Sequence, residues 1–177
     1  MSSPLDEVIR AALDEREVTY EHAREGAFLV TLPGQHKLQT ATWLVVGDHS
    51  LLVEAFVVRR PDENHAAFYR HLLERNARLY GVHFSVDHLG DVYLVGRVPL
   101  DAVTADEIDR LLGCVLTYSD EEFDRLLELG FASSIRKEWE WRVKRGESLA
   151  NLAAFARFAD PGPMTSVEPT ADHDSDG

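Results

Sequence analysis

Apolar residues fall into blocks of two different periods along the chain. Leu5, Val8, Ile9, Ala12 and Leu13 recur at helical spacing, with Asp6, Glu7, Arg10, Asp14 and Glu15 off that stripe. Ser3 is placed to cap this helix, and Pro4 to open it at a position where a missing N–H does no harm. Val18–Glu21 and Ala27–Leu32 read as strand, interrupted at Glu25-Gly26, and Pro33-Gly34 as a turn. The strongest block is Thr40–Pro61, two strands (Thr40–Val46 and Leu51–Val58) joined by Gly47-Asp48-His49-Ser50. In the second strand Leu51, Val53, Ala55 and Val57 point one way and Leu52, Phe56 and Val58 the other, interrupted only by Glu54. A strand apolar on both faces calls for cover on both.

Asp62 can cap a second helix running from Glu63 to about Tyr80, with Phe68, Leu72 and Leu79 inward and Asn76 in line between them. An amide on an apolar stripe must find partners or cost about 1–3 kcal/mol, and bonding to backbone at the helix end is the expectation. Gly81 suits a C-terminal cap. Val82–Val86 and Asp91–Val98 form a further hairpin, in which Val92, Leu94 and Val98 share one face and Tyr93 and Val95 the other. Gly96 inside that strand points to a bulge or a close backbone approach. Thr104-Ala105-Asp106-Glu107 is a capping-box pattern. The helix it starts runs on through Ile108, Leu111, Leu112, Val115 and Leu116, with Ser119 as a second cap or kink and Gly130 as its end. Ser133 or Ser134 can start a last helix, and Leu149–Phe158 is a further helical stretch. The predicted class is α+β, an antiparallel sheet of about five strands in the order α-β-β-β-α-β-β-α with an extra C-terminal helix. The domain expectation is residues 1–132, a helical extension 133–159 and a disordered acidic tail 160–177, whose composition cannot bury enough apolar surface to order itself.

The formal net charge of −13 is unevenly spread. Residues 101–128 hold nine acids against Arg110 and Arg125, and residues 160–177 hold five acids and no base. Such a chain repels phosphate backbones, so no nucleic-acid partner is expected. The segment Arg136–Arg145 is locally basic and carries Trp139 and Trp141, which read as packing anchors before they read as a nucleic-acid patch. One cysteine, Cys114, excludes an intramolecular disulfide framework and a cysteine zinc site. No secretory signal and no apolar run of membrane-span length is present, so a cytoplasmic protein without a membrane partner is expected. No phosphate loop, HExxH or G-x-S-x-G occurs. The eight histidines lack converging spacing for a metal. The run Asp120, Glu121, Glu122 and Asp124 reads as a solvated helix face. No catalytic residue, cofactor or metal is expected. Asn76, Tyr80 and His83 are the best residues for the alternative, a small-molecule or enzymatic pocket.

Leu73-x-x-Asn76 followed by Gly81 and Phe84, then Gly90-Asp91-Val92-Tyr93-Leu94, Val98-Pro99-Leu100 and Thr104 to Leu112, resemble the corresponding passages of the YbjN family of bacterial proteins. That family is similar in fold to the type III secretion chaperones, and the resemblance covers about Leu5–Phe131. It implies a chaperone-like adaptor or regulator that binds protein, with a homodimer as one form. Secretion chaperones of this fold hold extended partner segments on strand edges or apolar sheet surface. The residues placed to bind a partner are the second apolar row, Leu52, Phe56, Val58, Tyr93 and Val95, with Trp139 and Trp141 either covering that row or meeting the partner themselves.

Overall fold

Period-two burial runs through the central strands of the structure, a computed structural model that describes residues 3–158. Helix α1 (Pro4–Glu15) leads to strands β1 (Thr19–Arg24), β2 (Ala27–Pro33), β3 (Gln39–Val46) and β4 (Ser50–Val58). Helix α2 (His65–Asn76) precedes β5 (His83–Val86) and β6 (Val92–Pro99), and a 3₁₀ turn at Leu100–Ala102 leads into the helical run α3 (Ala105–Arg145). The sheet has six strands in the order β1-β2-β3-β4-β6-β5, and every neighbouring pair is antiparallel. The α+β class is as expected. The sixth strand arises because Glu25-Gly26 is a hairpin turn and not an interruption: Arg24 pairs with Ala27 across it, and Gly26 adopts φ +71°, where a side chain would be strained. The chain divides into two compact units, Met1–Ala132 and Ser133–Gly177.

In the first unit the inward row comprises Phe28, Val30, Leu32, Leu44, Leu51, Val53, Ala55, Leu94 and Val98, all buried. Ile9 and Leu13 of α1, Phe68 and Leu72 of α2, and Ile108, Leu111 and Val115 of α3 are buried with them. Polar ties fix each helix to this face. Asp6 of α1 accepts from the Gly26 N–H at 3.1 Å and lies 3.2 Å from His22 Nε2, whose ring stacks on Phe28. The buried hydroxyls of Thr40 and Ser119 share a hydrogen bond of 3.1 Å between β3 and α3. Ser119 is thus not a cap: it sits mid-helix, bonding back to the Leu116 carbonyl. Ser3 does occupy the N-cap position of α1 but makes no side-chain cap bond, whereas Thr104 Oγ1 accepts from the Glu107 N–H as its capping box requires.

Helix α2 is shorter than expected. It starts after Asn64, which has φ +55° and donates its amide to the Leu129 carbonyl at 3.0 Å, while Asp62 pairs with Arg59. Its end at Asn76 has a purpose at the sheet. Asn76 Oδ1 accepts from the Phe84 N–H at 2.7 Å and its Nδ2 donates to the Phe84 carbonyl at 3.0 Å. The amide therefore closes the β5 edge, where strand groups would otherwise stand open to another chain. Gly96 shows the close approach its position implied, since a Cβ there would lie 2.9 Å from Val82 Cγ1 and nearer still to the Gly81 carbonyl. The first helix of the α3 run ends at Gly130, as expected, and a second follows the break at Phe131. Gly130 is also a crossing point, where a Cβ would meet Pro61 at 2.8 Å and the Phe68 ring at 3.0 Å.

Of the acidic run on α3, Glu121 alone is exposed as expected, and the other three carboxylates are engaged. Asp120 Oδ1 accepts three backbone N–H groups of the β2–β3 loop, from Gln35, His36 and Lys37, each at 2.9 Å. Asp124 meets His36 at 2.7 Å. Glu122 is buried and pairs with His71 at 2.6 Å and with Arg75. In the second unit α3 ends on Gly146 (φ +66°), with Gly146 N–H to Val143 and Glu147 N–H to Arg142 closing the last turn. The stretch Ala150–Phe158 is 3₁₀ with a break at Phe155. The expected acidic tail lies outside the described residues.

Two outcomes follow for stability. Asn76→Leu leaves both Phe84 backbone groups unpaired and should cost about 1–3 kcal/mol in urea unfolding, with added self-association; an unchanged midpoint would contradict the edge-closing role. Burial alone would raise the Asp120 pKa, but the three N–H donors outweigh it and hold the carboxyl below the ordinary 3.8. The stability this clip supplies is complete above that ordinary value and is lost as pH falls through the depressed one. Wild type and Asp120→Asn should therefore differ most in unfolding free energy at neutral pH and converge in acid. A constant gap between the two across that range would contradict the assignment.

Candidate functional site

Strands whose inward residues are spent on the helices present their other residues outward, and in this sheet those residues are also apolar. On the outward side Leu29 lies opposite Trp43, Trp43 opposite Glu54 and Glu54 opposite Val95. Beside this row Phe56 lies opposite Tyr93, their rings edge-on with centroids 5.6 Å apart. On its other side Val45 lies opposite Leu52 and Leu52 opposite Arg97. Trp43 and Phe56 are 37% and 39% exposed, and Leu29, Val45, Leu52, Tyr93 and Val95 are half-buried.

Leu52, Phe56, Tyr93 and Val95 thus share one surface, as their spacing predicts. Val58 does not join them. The β4–β6 register shifts between Phe56 and Val58, so a bulge turns both Val57 and Val58 into the core, at 0% and 5% exposure. Trp139 and Trp141 belong to the second unit. Trp139 is half-buried, and Trp141 is exposed with the Arg145 guanidinium 4.8 Å over its ring. Trp43, Leu29 and Val45 were missed, although β3 alternates cleanly. The places of Trp43 and Val45 depend on the register of the β3–β4 hairpin, and that of Leu29 on the pairing of β2 with β3.

The electrostatics of the face are asymmetric. Lys37 reaches its rim, donating to the Gln39 and Phe56 carbonyls at 3.0 and 3.3 Å, with its ammonium 5.8 Å from the Phe56 ring centroid. Burial lowers its pKa. Tyr93 has its pKa raised, first by burial and then by the carboxylates Asp87, Asp91 and Glu54. Asp87 and Asp91 are occupied, accepting backbone N–H groups of the β5–β6 turn and of Arg60.

Two of the residues offered for a pocket, Asn76 and Tyr80, are engaged elsewhere. Asn76 closes the β5 edge, Tyr80 donates to Glu107 at 3.2 Å, and His83 lies exposed on β5 opposite Val95. Among the described residues no group of three or more histidine, cysteine, aspartate and glutamate side chains converges as a metal site. No helix among them is long and apolar enough to cross a membrane.

Among solved structures the fold is similar to a chain of the ExsC–ExsE complex, with a TM-score of 0.52 and 19% identity over 71% of this chain and 97% of that one. A chain of the heterodimeric ExoU–SpcU complex from the type III secretion system of Pseudomonas aeruginosa gives a TM-score of 0.48 at 17% identity, over 68% and 96%. The architecture is the one the sequence resemblance implied. An uncharacterised protein of Mycobacterium tuberculosis is 54% identical over 91% of this chain and 90% of its own length. Residues 5–128 match the YbjN family, whose description reads "Putative bacterial sensory transduction regulator", and the chain belongs to that family.

Proposed function

We propose that this protein is a non-enzymatic protein-binding module, a chaperone-like adaptor or regulator acting in the cytoplasm, whose outward sheet face takes a segment of a partner polypeptide. One observation carries the reading. The inward face is filled by α1, α2 and the first part of α3, while the outward face keeps Trp43 and Phe56 more than a third exposed within a contiguous apolar surface. Large apolar groups held together at a surface mark interaction sites, where scattered ones do not. Aromatic side chains suit that role because they offer large contact area with few rotamers to freeze. The β5 edge is closed by Asn76, which favours docking on the face over strand addition there. Membership of a family described as regulatory, and a fold shared with a chain solved in a complex, support the same reading.

The test is a photo-crosslinking amino acid placed at Phe56 in the full chain, expressed in its own host, with the same group at exposed Leu73 of α2 as control. A discrete polypeptide adduct should form at Phe56 and not at Leu73, and Leu52→Asp should abolish it. Equal adducts at both positions, or only an adduct of two copies of the chain, would refute the adaptor reading.

A further inference from the structure

Glu54 is the one charged side chain in the middle of this face. Along β4 it stands between Leu52 and Phe56, and across the sheet between Trp43 and Val95. It is half-buried, yet among the described residues it makes no hydrogen bond and no ion pair. The facing charges do not satisfy it. Arg97 lies one diagonal step away, opposite Leu52, and is exposed without reaching the carboxylate. Lys37 is spent on two carbonyls. Glu21 lies beyond Leu29 on β1 and His83 beyond Val95 on β5, each a further strand away. A carboxylate partly withdrawn from water and ringed by apolar side chains carries a desolvation cost that a cation can offset. Aromatic rings attract cations as well, as the Lys37 ammonium 5.8 Å from the Phe56 ring centroid shows.

Resting on the docking reading above, we propose that Glu54 is its specificity-determining residue: the face takes a partner segment in which a lysine or arginine is flanked by apolar residues. The cation meets Glu54, and the apolar neighbours seat on Leu52, Trp43 and Phe56. Charge complementarity sets the sign, since a carboxylate without an ion-pair partner among the described residues sits at the centre of the patch, between Trp43 and Val95. A partner with an acid at that position meets like charge in a half-desolvated site and is rejected.

The test uses the full chain and three short synthetic peptides of one framework, valine and leucine alternating with serine, whose central residue is lysine, glutamine or glutamate. Binding is read by fluorescence anisotropy. The lysine peptide should bind about tenfold more tightly than the glutamate peptide. Glu54→Gln should collapse that ratio towards unity, and Arg97→Gln should preserve or widen it. A ratio untouched by Glu54→Gln, or equal binding of all three peptides by wild type, overturns the role of Glu54 and leaves docking standing. Binding of none of the peptides, or binding indifferent to Leu52→Asp, sinks docking and the Glu54 role together. A dimer in sedimentation that Leu52→Asp dissociates also overturns the proposal, because the face then belongs to a second copy.

Discussion

Antiparallel strands send successive side chains to opposite faces, and in the first unit the described helices fill only one of them. That constraint organises the rest. Phe28, Val30, Leu44, Val53 and Leu94 meet α1, α2 and α3 in a buried layer. Because the period is two, the same registers commit Leu29, Trp43, Leu52, Phe56 and Tyr93 to the other side. A slip of one residue in β4 would exchange the two sets. The departure on β4, the bulge between Phe56 and Val58, marks where the outward apolar row stops.

Helix α3 connects this architecture to the face. Three of its acids clamp the molecule: Glu122 holds α2 through His71 and Arg75, and Asp120 and Asp124 hold the β2–β3 loop. That loop carries Lys37, whose ammonium reaches the Phe56 carbonyl. A charge run that composition presents as solvent-facing is thus the fixture that sets the rim of the candidate site. Its carboxylates are stabilised by backbone dipoles and paired bases, which is how charges tolerate partial burial.

The sequence made some of this legible and hid the rest for physical reasons. The helix stripes, the Thr40–Val58 hairpin, the Thr104 cap and the close approach at Gly96 are local or follow from one residue's chemistry. Val58 was misplaced because a bulge depends on the partner strand. The split of Val18–Leu32 into two strands turned on one glycine torsion at Gly26. Glu122 and Asp120 looked solvated because their partners, His71, Arg75 and the backbone of residues 35–37, are far away along the chain. Asn76 was identified as needing partners, yet it found them on β5 and not at its own helix end. Trp43 is the instructive omission. Its alternation and its hairpin with β4 were visible, but its place opposite Glu54 depends on the register the turn sets.

The most direct measurement is thiol labelling along β4 of the full chain in a Cys114→Ser background, one cysteine at a time at positions 52 to 56. The account predicts fast modification of Leu52→Cys, Glu54→Cys and Phe56→Cys and slow modification of Val53→Cys and Ala55→Cys, in strict alternation. Uniformly slow labelling at all five positions in a monomeric chain would show that the outward face is covered from within, and would contradict the account.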